Sequence, residues 1–102
     1  MKDSDTFSAM QVYCFGVVAR PDPGALARIT EPFAKLGLVP LSVNSRHFIE
    51  AEELAIDIQI VGISEEQCNR IARQIGAMPI SVRVVTGRKY YQAALVTPST
   101  AP

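Results

Sequence analysis

Nearly every position from Met10 to Ala19 is apolar, with β-branched and aromatic residues prominent: Val12, Tyr13, Phe15, Val17 and Val18. Such a run predicts a strand. Because both of its faces are apolar, it predicts a central strand covered on both sides. Arg20-Pro21-Asp22-Pro23-Gly24 breaks the run. Asp22 suits a helix N-cap, and Pro23 suits the first helical position. Leu26, Ile29, Phe33 and Leu36 then recur at helical spacing, with Arg28, Glu31 and Lys35 off that stripe. Glu31 and Lys35 make a favourable i,i+4 pair. Pro32 removes one backbone hydrogen bond inside this helix, so a kink or wide turn is expected there. Gly37 is the stop signal.

Val39 to Phe48 predicts a second strand, and Glu50 to Glu53 a polar turn. Leu54, Ile56, Ile58 and Ile60 alternate with Ala55, Asp57 and Gln59, the pattern of a half-buried strand. Ser64 followed by Gln67 fits a capping box. Cys68, Ile71, Ala72 and Ile75 form a second helical stripe, which Gly76 ends. Ile80, Val82 and Val84 alternate with Ser81 and Arg83 in a last strand. The order is two βαβ halves. It predicts an α+β, ferredoxin-like βαββαβ sandwich: a four-stranded antiparallel sheet with two helices on one face. An offset of 39 residues aligns Gly37 and Pro40 with Gly76 and Pro79. It reads either as a doubled half or as the common preference of helix-to-strand turns for Gly and Pro. Residues 1–9 and 92–102 are expected to be flexible, and the organised domain to span residues 10–91.

Length and charge narrow the function. The chain has 102 residues, room for one domain, and its ten basic residues balance ten acidic ones. No clustered basic excess points to nucleic acid. Cys14 and Cys68 are far apart inside apolar patterns, which predicts buried free thiols in a reducing cytoplasm rather than a redox pair or disulfide. The start of the chain, Met1 to Ser8, is polar and unlike a signal peptide. No apolar run approaches the roughly 20 residues of a membrane span. A soluble, cytoplasmic protein is expected, with no membrane partner.

Catalytic chemistry is hard to find. His47 is the only histidine, and a lone strand histidine reads best as a surface or edge residue. Neither a Ser-His-Asp or Cys-His set nor a zinc ligand set is suggested. Glu50, Glu52 and Glu53 read as a solvated hairpin turn. There is no phosphate-binding glycine loop, so no cofactor and no metal are expected. The informative segment is the Pro21–Ile29 turn and helix start. Free N–H groups at a helix start, with Gly24 offering no Cβ, can hold a carboxylate. The same residues also describe an ordinary capped helix.

Pro21-Asp22-Pro23-Gly24-Ala25-Leu26-Ala27-Arg28-Ile29, followed by Phe33 to Gly37 and by Ile58-Gln59-Ile60-Val61-Gly62, resembles the ACT domain family. It is most similar to the ACT domain of the regulatory small subunit of acetolactate synthase. The resemblance spans Val12 to Val85 and implies the same fold, a homodimer or higher oligomer, and an amino-acid effector at an interface between domains. It implies a ligand-binding set of Asp22, Gly24, Ala25 and Leu26 from the turn, with Val39, Pro40 and Leu41 across the interface. Two departures stand out. Those subunits carry a polar Asn where this chain has Val39, and they continue into a further domain where this chain ends.

The expected function is therefore a non-catalytic, amino-acid-binding regulatory domain, controlling an amino-acid biosynthetic enzyme such as acetolactate synthase. One rival is a structural or interaction module with no small-molecule ligand, docking through the open sheet face and Ala93 to Val96. The other is a small enzyme on the same fold, for which the turn lacks a suitable arginine or histidine. A strand apolar on both faces, under helices that cover only one, further predicts a second chain against the other.

Overall fold

The computed structural model describes residues 10–91; both expected flexible ends, and with them Ala93 to Val96, lie outside the described residues. The elements are β1 (Met10–Ala19), α1 (Ala25–Lys35), β2 (Ser42–Phe48), β3 (Glu53–Val61), α2 (Glu65–Gly76) and β4 (Ser81–Tyr91). The strands form one antiparallel sheet in the order β2-β3-β1-β4, and both helices pack on one face of it. This is the ferredoxin-like arrangement that the alternating patterns predict.

Strand register explains the core. Tyr13, Phe15 and Val17 pair with Ile60, Ile58 and Ile56, and all six point into the helical layer. There they meet Ala25, Ile29 and Phe33 from α1 and Cys68, Ile71 and Ile75 from α2. Phe15 and Phe33 touch edge to face, with ring centroids 5.1 Å apart and planes at 81°, the arrangement that ring quadrupoles favour. The α2 start is the predicted capping box: Gln67 N–H donates to Ser64 Oγ, and Ser64 N–H to Gln67 Oε1. Gly37 ends α1 as expected, in the left-handed region at φ +72°. Gly37 N–H donates to the Ala34 carbonyl and Leu38 N–H to the Phe33 carbonyl. That is the Schellman pattern, and it turns Leu38 back onto the core.

Several expectations need correction. The second strand begins at Ser42, so Val39, Pro40 and Leu41 precede it in a loop. The α1 stripe is rotated: Ala25, Ile29, Pro32 and Phe33 are buried, whereas Leu26 and Leu36 are exposed. Pro32 thus lies on the packed face of a helix that runs on through its position. Val82 is exposed because the β1–β4 register slips between Val18 and Ala19, pairing them with Arg83 and Ser81 and leaving Val82 out. Cys14 is only half-buried, since alternation along β1 puts it on the face away from the helices. Gly76 is the last residue of α2 and, unlike Gly37, not left-handed, so the 39-residue offset does not repeat the cap geometry.

The face away from the helices carries cross-strand rows. One is Arg46, Ala55, Val18 and Arg83; the next is Asn44, Asp57, Gly16 and Val85; the third is Ser42, Gln59, Cys14 and Gly87. Its β1 positions are small and uncharged, the exposed Asp57 carboxylate on β3 stands beside Gly16, Arg46 and Arg83 lie on the two edge strands, and Val85, also on edge strand β4, is 57% exposed.

Candidate functional site

The turn after β1 is built by local bonds. Asp22 N–H donates to the Arg20 carbonyl at 2.8 Å, closing a tight turn around Pro21. Arg20 ties the turn to the α2–β4 loop, its backbone N–H on the Ile80 carbonyl and its Nη2 on the Pro79 carbonyl. The chain then enters α1 at Gly24, whose φ of −92° suits any residue.

The free N–H groups expected at this helix start are partly taken. Gly24 N–H donates to Asp22 Oδ2 at 3.1 Å, and Ala25 N–H to the Asp22 carbonyl at 2.9 Å. Arg28 Nη1 donates to the same Asp22 oxygen at 3.3 Å. Arg28 N–H donates to the Gly24 carbonyl, which starts the helical ladder. Leu26 and Ala27 N–H, in the first turn of the helix, have no backbone acceptor among the described residues. The turn therefore presents two N–H donors, the Arg28 guanidinium and one carboxylate. This set can hold a ligand carboxylate on the donors and a ligand ammonium on Asp22.

His47 belongs to this neighbourhood. Ala19 pairs with Leu54 and Leu54 with His47, so the far ends of β1 and β2 share one end of the sheet. There a concavity of about 250 Å³ is lined by Pro21, Asp22, Pro23, His47 and Leu54. His47 and Arg28 were not among the residues implied by the family resemblance. Neither is marked by a local pattern: Arg28 reaches Asp22 through its side chain, and His47 arrives because β1 and β2 run parallel on either side of β3.

Val39, Pro40 and Leu41 lie at the other end. Leu41 N–H donates to the Gln59 carbonyl, and Gln59 pairs with Cys14, five residues before Ala19. At about 3.3 Å per strand residue, the two halves of the candidate set are separated by roughly 17 Å along the sheet. One chain does not bring them together. Val39 is 84% exposed and Leu41 is exposed as well.

Elsewhere the chemistry is sparse. Among the described residues, no three His, Cys, Asp or Glu side chains converge on a metal position, and no helix is long and apolar enough to cross a membrane. Burial pushes the Cys68 thiol above its ordinary value, with smaller contributions from the Glu65 carboxylate and from Cys14. A thiol shifted this way stays protonated and is a poor nucleophile.

No protein-family model matches the sequence, and no curated protein matches it either. Solved structures do. The C-terminal domain of the MgtC protein from Mycobacterium tuberculosis is 13% identical over 78% of this chain and 88% of that one, with a TM-score of 0.65. The ACT domain of GTP pyrophosphokinase from Chlorobium tepidum is 9% identical over 74% and 96%, with a TM-score of 0.64. An uncharacterized protein from Thermotoga maritima is 14% identical over 76% and 96%, with a TM-score of 0.63. At these identities the likeness is one of fold, and the fold of this chain is ACT-like.

Proposed function

We propose that this protein is a non-catalytic, cytoplasmic regulatory domain that binds an amino acid between two copies of itself. The observation that carries the reading is the convergence at the β1–α1 turn of Leu26 and Ala27 N–H, the Arg28 guanidinium and the Asp22 carboxylate. An α-amino acid presents a carboxylate and an ammonium a short distance apart, and this turn offers a partner for each. The ligand side chain then meets Val39, Pro40 and Leu41 of a second copy, since those residues lie at the wrong end of the sheet to meet it within one chain.

An exposed apolar Val39 favours an aliphatic ligand side chain over a polar one. An aliphatic ligand fits a role in branched-chain amino-acid biosynthesis, although acetolactate synthase small subunits carry a polar Asn where this chain has Val39. A ligand held by two copies binds the assembled state better than the separate chains, so it shifts the population toward assembly. A partner enzyme that recognises one assembly state is thereby switched.

The test is a thermal-shift screen of the twenty amino acids followed by calorimetry on any that raise the melting temperature. Binding of an aliphatic amino acid, tighter at higher protein concentration, is expected. No heat with any amino acid favours the second reading, an interaction module that docks through its open sheet face. The exposed Val85 on the β4 edge of that face is the observation on its side.

A further inference from the structure

The helical layer contains a groove that the turn site does not use. It lies between the end of α1 and the 67–74 stretch of α2, encloses about 230 Å³, and has Pro32, Leu36 and Ile71 among its lining residues, with Lys35, Arg70 and Gln74 beside them. Leu36 supplies most of the apolar surface here, with Pro32 and Ile71 beneath it. Pro32 and Ile71 are buried, and Leu36 is 52% exposed although its spacing places it in the helical stripe. Its position is fixed by the Schellman turn at Gly37, which sends Leu38, not Leu36, onto the core.

The charged residues lining this groove are both cationic. Lys35 Nζ lies 3.5 Å from Glu31 and Arg70 Nη2 lies 3.7 Å from Glu66, each an i,i+4 pair along its own helix. All four side chains are more than half exposed. Exposed pairs of this kind contribute little, so either cation can turn to a new anion at small cost. Gln67, the remaining lining residue, is held by the capping box and does not close the groove.

We propose that this groove binds a small aliphatic carboxylate. Its alkyl body lies on Pro32, Leu36 and Ile71, and its carboxylate sits between Lys35 and Arg70. The volume is below the roughly 300–1,000 Å³ of sites for drug-sized ligands, which sets the ligand class at a short or branched acyl chain. The site is complete within one chain and is independent of the β1–α1 turn.

The probe is hexanoate, titrated into the full-length protein and followed by amide chemical shifts, with hexylamine and hexanol as controls at constant ionic strength. Saturable shifts confined to residues 32–36 and 67–74 are expected for hexanoate, and weaker binding for both controls. The affinity falls as salt is added. The double variant Lys35→Glu/Arg70→Glu changes only exposed side chains. It is expected to weaken hexanoate by about tenfold or more while binding hexylamine better. Leu36→Gln, also at an exposed position, tests the apolar surface and is expected to weaken hexanoate and hexanol together. Equal affinity for hexanoate and hexanol, unchanged hexanoate binding in the double variant, shifts centred elsewhere, or no saturable shift overturns the proposal. None of these outcomes bears on residues 22–28.

Discussion

Asp22 and Arg28 meet across the first turn of α1, with Arg28 Nη1 donating to Asp22 Oδ2 at 3.3 Å. The same oxygen accepts from Gly24 N–H. Asp22→Asn keeps an acceptor for Gly24 and removes the charge. The ion pair is solvent-exposed, so stability is expected to fall by less than about 1 kcal/mol. Under the proposed pose the ligand ammonium loses its partner, and calorimetry is expected to show amino-acid affinity down by about tenfold or more. A folded Asn variant that binds as well as wild type places the ammonium elsewhere.

Gly24→Asp separates binding from folding. A Cβ at Gly24 would lie 3.5 Å from both Asp22 Oδ2 and Arg28 Nη2, ordinary contact distances, and the backbone there is unstrained for any residue. The new carboxylate is drawn to Arg28, repelled by Asp22, and favoured by roughly 0.3–1 kcal/mol through the helix dipole. A melting curve close to wild type is expected. The variant carboxylate fills the position of the ligand's own and competes for Arg28, so amino-acid heat is expected to vanish. Unchanged affinity in the folded variant moves the site away from this turn.

The open sheet face predicts assembly. Val18, Gly16 and Cys14 make a small uncharged strip between the exposed Val85 and Asp57. At tens of micromolar, sedimentation is expected to show at least twice the 11.1 kDa of one chain. Val85→Lys puts a charge beside that strip without touching the core, and a shift toward the single-chain species is expected. A monomeric wild type, or a variant that assembles equally well, counts against this face.

Gly37→Ala tests the helix stop. Its φ of +72° lies where a Cβ is strained, and nothing stands within 4 Å of the added atom. The loss is therefore purely conformational, roughly 1–2 kcal/mol, readable as a lower denaturant midpoint. The matching Gly76→Ala is expected to be neutral or stabilising, because Gly76 sits in helical backbone against a Val84 methyl 3.8 Å away.

That pair of glycines shows what was readable from sequence and what was not. Both look like stop signals, yet only the backbone reveals which one is left-handed. Alternation along β3 and the Ser64–Gln67 spacing are local rules, and the structure follows them. Leu36 obeys the helical period but falls outside the core, because the Schellman turn hands that place to Leu38. Val82 is displaced by a register slip that no local pattern encodes. In the candidate site, Asp22 and Gly24 stand out as turn residues. The capture of Gly24 N–H by Asp22 and the approach of His47 depend on side-chain geometry and on strand order. The distance between the turn and Val39 follows from β1 and β2 running parallel.

The two thiols give the last test, since they lie on opposite sides of the sheet. Cys68 is 3% exposed under α2, and burial raises its pKa. The unfolded thiol ionises from its ordinary value of 9.0, while the folded one holds its proton to higher pH. Its contribution to stability is thus complete below pH 9 and lost as pH rises through the folded value. Wild type is expected to lose melting temperature more steeply above pH 9 than Cys68→Ala. Parallel curves refute the shift. Cys68 should also react with a thiol reagent only as fast as the protein unfolds. Cys14 is half-buried on the open face, so its protection depends on a covering chain. In the assembled wild type its labelling is expected to be slow, and in Val85→Lys fast, with Cys68 unchanged in both. Rapid Cys14 labelling in an assembled wild type means that the chains meet through another surface.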